Sequence, residues 1–192
     1  MDTRETWWVF LVQLEFARNY PVAYQLTSHG AAVRNPLLEA ILPSLLHIKM
    51  TAILDEALGR YLESSKTALP ADYRPDLNGR IGFCSDAGLV LNHQALQGVR
   101  KRRNKAAHET FSDVSWSQLD QDLGEVHTAL QHLGLVGERP EFRVEAERSA
   151  FLLSSDEPGI LGHRDCAVRV LRGEKVAGEH KWGETLHDDL AS

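Results

Sequence analysis

Three features of the sequence predict a mainly α protein that ends in a small antiparallel β-sheet or hairpin tail, α+β overall. Apolar residues recur at three- and four-residue steps from Leu38 to Tyr61 and from Leu119 to Leu133, the period of helices that bury one face. Helix-start signals precede both stripes, at Asn35-Pro36 and at Ser115 with Gln118 three residues on. After Pro140 the apolar period falls to two, as a half-exposed strand requires.

Taken in order, Thr6 to Tyr20 is dense enough in apolar residues for a short buried helix, with a strand left open by its aromatic and β-branched content, and Pro21 closes or bends it. Asn35 as N-cap and Pro36 at the first helical position open a long second helix. Pro43 removes a backbone donor inside it, so a kink or a later start near Ser44 is expected. Pro70, Pro75, Asn78-Gly79 and Gly82 mark a turn-rich connection with room for one helical turn. Leu89 to Glu109 reads as a further helix with a strongly basic end. Ser115 then caps another, with Gln118 as its reciprocal partner, Val114 placed to pack on Leu119, and Gly134 and Gly137 at the C-terminal end. Phe142, Val144, Ala146, Ala150 and Leu152 alternate as one strand, as do Cys166, Val168 and Val170. Arg172-Gly173-Glu174-Lys175 is a hairpin turn before Val176, Gly178, His180 and Trp182. The expected organisation is an N-terminal helical segment over 1–33 packing on a bundle, a helical domain over 34–137, and a β-rich appendage over 138–192.

Composition narrows the function classes. The 192 residues are 43% apolar and 25% charged, which suits a folded globular chain and not a disordered, collagenous or membrane-spanning one. The net charge of −6 argues against a basic surface that coats nucleic acid, so any such site must be local. Residues 138–192 hold 12 acidic and 8 basic side chains and so carry −4 of that charge. Cys84 and Cys166 stand far apart with no Cys/His spacing around them, giving no zinc cluster or disulfide framework and favouring a reducing compartment. The apolar run from Trp7 to Val12 is too short for a span, and no small-residue cleavage site follows it, so a cytoplasmic protein without membrane contact is expected.

Five of the six side chains from Arg100 to Lys105 are cationic. Charge alone fits an ordinary solvated face, because cations near a helix C-terminus gain ~0.3–1 kcal/mol each from the macrodipole, and Lys105 with Glu109 forms an i,i+4 pair. The spacing suggests more. Asn104 and His108 are four apart and share a helical face, Arg103 reaches toward them, and Ala106 and Ala107 keep the intervening surface small. An arginine binds phosphate through paired hydrogen bonds, and a histidine moves protons near neutral pH.

Arg103-Asn104-Lys105-Ala106-Ala107-His108 resembles the Arg-x4-His signature of the HEPN superfamily, in which a polar residue commonly follows the arginine. The long upstream helix, the turn-rich stretch around Leu77 to Phe83 and the capped helix afterwards are similar to that family's helical bundle. The resemblance spans roughly residues 34 to 137 and leaves out the N-terminal segment and the tail. It implies a metal-independent endoribonuclease, often a toxin or an antiviral effector, or else a catalytically silent module that binds RNA, a nucleotide or a partner protein. On these residues His108 would be the acid–base group, Arg103 would hold the scissile phosphate, and Asn104 would orient one of them. Arg100, Lys101, Arg102 and Lys105 would contact flanking RNA phosphates. Attack by the neighbouring 2′-hydroxyl would leave a 2′,3′-cyclic phosphate and spare DNA. No cofactor or metal is implied. The implied partners are RNA, a second copy completing a composite site in a homodimer, and an antitoxin or other regulatory protein.

Other chemistry-bearing residues have ordinary readings. His127 and His132 lack the carboxylate or cysteine that would complete a metal set. His163, Asp165 and Cys166 lack a nucleophile-bearing turn. His93 reads as an exposed helix residue, and Trp7-Trp8 beside Val9, Phe10 and Leu11 as core or dimer interface rather than a base-stacking platform.

Overall fold

The computed structural model describes residues 2–19, 25–26, 32–33, 36–65, 68–90, 92–108, 114–150, 152–153 and 160–187. Among them are five helices, α1 (Thr3–Asn19), α2 (Pro36–Ser64), α3 (Leu77–Asp86), α4 (His93–His108) and α5 (Trp116–His132). The strands are β1 (Gln25–Leu26), β2 (Ala32–Val33), β3 (Arg143–Arg148), β4 (Leu152–Leu153), β5 (Ile160–Arg172) and β6 (Lys175–His187). The protein is mixed α+β. No helix among the described residues is long and apolar enough to cross a membrane. The expected roles of Pro21, Asn35 and Glu109 fall outside the described residues.

The chain divides into two compact units, one of Met1–Phe10 with Ala40–Arg139 and one of Leu11–Glu39 with Pro140–Ser192. The division falls inside α1, because its first residues and its later ones present apolar side chains to different cores.

In the helical unit, Trp7 and Phe10 join Met50, Leu54 and Leu58 of α2, Ile81 of α3, Leu96 of α4, and Leu119, Leu123 and Leu130 of α5 as buried residues. The Trp7 indole Nε1 donates to His127 Nδ1 at 3.0 Å, which settles Trp7 as a core residue. Burial, with Arg139 nearby, holds the His127 pKa below the ordinary histidine value and favours the neutral ring that accepts this bond.

Of the two outcomes expected at Pro43 the restart at Ser44 does not occur, because α2 runs through both residues; the Ser44 hydroxyl accepts from the Val114 amide at 2.9 Å, anchoring the approach to α5. Two further expectations are corrected. The connection before residue 88 contains a full helix, α3, capped by Asp76, whose Oδ1 accepts from Gly79 N at 2.8 Å. A Cβ at Gly79 would lie 2.2 Å from the Arg74 carbonyl oxygen, so the glycine that reads as a turn marks a close backbone approach. Ser115 does cap α5 by accepting from Gln118 N, but the Gln118 side chain turns to Gln121 and Asp122 instead of reaching back. At the other end of α5, Leu135 N donates to Leu130 O, with Gly134 at φ +69°, the left-handed residue that such a terminus needs.

In the second unit β5 is the central strand. β3 and β4 pair successive stretches of one edge of β5, and β6 pairs the other, all antiparallel. The expected continuous strand from 142 to 152 is thus two strands, interrupted where Ser149 N donates to Asp165 O and Ser149 Oγ accepts from Asp165 N. Leu152 is 75% exposed, so the alternation there does not report a buried face. The hairpin turn lies where the sequence places it, with Arg172 paired to Lys175 and Gly173 at φ +59°. A Cβ at Gly178 of β6 would come within 2.8 Å of Phe16 and 2.9 Å of Val12, so α1 packs directly on bare backbone at that position.

Candidate functional site

The basic run lies on α4, and successive residues turn 100° about its axis, so its cations separate onto different surfaces. Arg100, Arg103 and Asn104 fall on one stripe and line a cleft of about 660 Å³ that is also walled by α2 and by the N-terminal turns of α3. The Arg100 Nε donates to Gln97 Oε1 at 2.8 Å and Arg103 Nη1 to Asn104 Oδ1 at 3.2 Å. Both acceptors are neutral amides, and neither guanidinium meets a carboxylate among the described residues.

Arg102 points elsewhere. Its Nε donates to Asp122 Oδ2 at 2.7 Å and its Nη2 to Asp122 Oδ1, a bidentate pair with a carboxylate that is 0% exposed. Gly98, one turn earlier, provides the seat, since a Cβ there would lie 3.2 Å from the Arg102 guanidinium. The charge of Arg102, expected to contact RNA, is committed instead to holding α4 against α5. Lys101 and Lys105 are exposed.

Asp122 also accepts from His47 Nε2 of α2 at 2.7 Å and from the Gln118 amide at 3.1 Å. Burial alone would raise its pKa, but the hydrogen bonds and charges of His47 and Arg102 outweigh that and hold it below the usual aspartate value. Asp122 follows Leu119 by three residues and adjoins Leu123, so it sits on the buried stripe of α5. An aspartate inside an apolar period was the available signal for this hub, and the sequence reading passed over it.

Arg80 of α3 was also passed over. Its Nη1 donates to the Asp55 carbonyl at 3.1 Å and pairs with the Asp55 carboxylate, and its guanidinium crosses α2 at Gly59, where a Cβ would lie 3.0 Å away. The floor of the cleft is thus a fixed ion pair across α2 and α3.

His108 is the last residue of α4 and is exposed, and it does not line the cleft. It stands one turn beyond Asn104, about 6 Å further along the axis at ~1.5 Å per residue. The structure brings Arg100, Arg103 and Asn104 to one cavity, and His108 is not among the residues that line it. Cys84 is buried, and burial pushes its thiol up to about 11, so it is not a nucleophile at neutral pH. Among the described residues no cluster of three or more His, Cys, Asp or Glu could hold a metal ion.

Comparison with protein-family models, with curated proteins and with solved structures finds no match.

Proposed function

We propose that this chain is a HEPN-type, metal-independent endoribonuclease. The observation that carries the reading is the pair Arg103 and Asn104, facing a cleft with no carboxylate against the guanidinium among the described residues and with exposed His108 one helical turn away. An unneutralised guanidinium is free to bind a phosphodiester by paired hydrogen bonds and to stabilise charge as it develops. His108 moves the proton of the attacking 2′-hydroxyl, and Asn104, already bonded to Arg103, orients that side chain. Lys101, Lys105 and Arg100 supply the local positive field that a chain of net charge −6 lacks elsewhere.

A second copy of the chain completes the site in this reading. Ile41 and Leu45, 46% and 56% exposed, are four apart on α2 and offer it an apolar contact. A toxin or antiviral role, and a regulatory partner that restrains the activity, go with the same proposal. The test is His108→Ala, which abolishes RNA cleavage while leaving RNA affinity within about twofold.

One observation favours a second reading, a non-catalytic RNA-binding module: His108 stands outside the cleft that holds Arg103. Under that reading wild-type protein binds RNA without cutting it, and charge reversal at Arg100 is the change that weakens binding.

A further inference from the structure

We propose that the cleft between α2, α3 and α4 is a base-recognition subsite in which Glu63 reads the donor edge of a guanine whose phosphate is held by Arg100 and Arg103. This rests on the nucleic-acid reading above and adds a selectivity that the motif itself does not carry.

The argument is an account of charge. The cleft is lined by four guanidiniums, those of Arg60, Arg80, Arg100 and Arg103, and by four carboxylates, those of Asp55, Glu56, Glu63 and Asp76. Four of these charges pair in place, Arg80 with Asp55 and Arg60 with Glu56, while Asp76 keeps its charge and spends Oδ1 on the Gly79 amide that it caps. Arg100 and Arg103 remain, bonded only to neutral amides, together with Glu63, which has no partner among the described residues.

Two cations without a carboxylate and, beside the helix-capping Asp76, one carboxylate without a hydrogen-bond donor call for a ligand that is anionic at one end and a neutral hydrogen-bond donor at the other. A nucleotide has that polarity. The volume of about 660 Å³ lies within the ~300–1,000 Å³ of small-molecule sites. The stretch of α2 from Thr51 to Glu63 that lines it is about 18 Å long at ~1.5 Å per residue, enough for a phosphate at α4 and a base toward Glu63.

Among the bases, guanine presents N1–H and its 2-amino group side by side and so gives one carboxylate two parallel charge-assisted bonds. Adenine and cytosine offer one amino group each. Uracil flanks its single N–H with two carbonyl oxygens, which a carboxylate repels. The expected order is guanine first and uracil last.

The experiment measures binding of GMP, UMP and inorganic phosphate to the intact chain by isothermal titration, with Glu63→Gln and Arg100→Gln alongside and circular dichroism confirming that each variant is folded. Wild type is expected to bind GMP about tenfold more tightly than UMP or phosphate, the scale of one well-made charge-assisted bond. Glu63→Gln brings GMP down to the UMP level, and Arg100→Gln weakens every ligand. Equal affinity of wild type for GMP and UMP overturns the proposal, as does a GMP preference that survives in Glu63→Gln, or phosphate binding as tightly as GMP. The ribonuclease reading fails separately: GMP selectivity without any RNA cleavage leaves the subsite standing and removes the enzyme, whereas His108-dependent cleavage without GMP selectivity does the reverse.

Discussion

Replacing Asp122 by Asn keeps the shape of the buried hub and removes its charge. In the native protein this carboxylate takes two hydrogen bonds from Arg102, one from His47 and one from Gln118. Losing one partner of a fully buried ion pair costs ~3–5 kcal/mol. The Arg102 side chain is 35% exposed and can turn back to water, so the expected loss is smaller, about 2–3 kcal/mol. At ~2–4 °C per kcal/mol for a chain of this length, the melting temperature falls by roughly 4–12 °C. Linkage adds a second signature. The folded-state pKa of Asp122 lies below its unfolded value, so its contribution is complete above the unfolded pKa of ~3.9 and is lost as pH falls through the lower folded value. Urea denaturation followed by circular dichroism at pH 7 and at steps below pH 4 therefore separates the two proteins at neutral pH and brings them together in acid. A variant within about 0.5 kcal/mol of wild type at pH 7 refutes the reasoning, and so does a gap between the two that persists in strong acid.

Three other outcomes follow from the geometry. Arg100→Glu should leave the melting temperature unchanged, weaken RNA binding, and lower the salt dependence of the affinity by about one phosphate contact, read from binding isotherms at several salt concentrations. Gly178→Ala puts a methyl group within 2.8 Å of Phe16 and 2.9 Å of Val12, so a loss of about 1–3 kcal/mol is expected in a denaturation curve; an unchanged midpoint would show that α1 does not pack there. Cys84, with its thiol pushed up to about 11 inside the core, should resist a thiol reagent at pH 8 until the helical unit unfolds, and rapid labelling of Cys84 in native protein would contradict its placement.

Local patterning was the legible part of this fold. The stripes of α2 and α5, the Ser115 cap and the Gly173 hairpin are each spelled out by residues a few positions apart, which a sequence displays directly. The reading failed where a residue's role is set by a distant partner. Gly79 looks like a turn residue and Gly98 like any other position in its helix, yet one makes room for the Arg74 carbonyl and the other for the Arg102 guanidinium. Arg102 looks like its cationic neighbours until Asp122, twenty residues on, claims it. Pro43 suggests a helix restarting at Ser44, but α2 continues through both. At the site, the sequence placed Asn104 and His108 on one helical face with Arg103 reaching toward them, whereas the cleft takes in Arg103 and Asn104 and not His108. The sequence could not show that Arg80, Asp55 and Glu63 close the other walls of the cleft, because that depends on how α2, α3 and α4 pack.

The central claim is that His108 transfers a proton in an RNA-specific cleavage. The direct measurement is incubation of wild type and His108→Ala with a mixed RNA and the equivalent DNA in excess chelator, with the product ends analysed by mass spectrometry. The account predicts that wild type cuts RNA alone and leaves 2′,3′-cyclic phosphates, and that the variant binds RNA without cutting it. Cleavage of DNA, products lacking the cyclic phosphate, or undiminished cleavage by His108→Ala would contradict it.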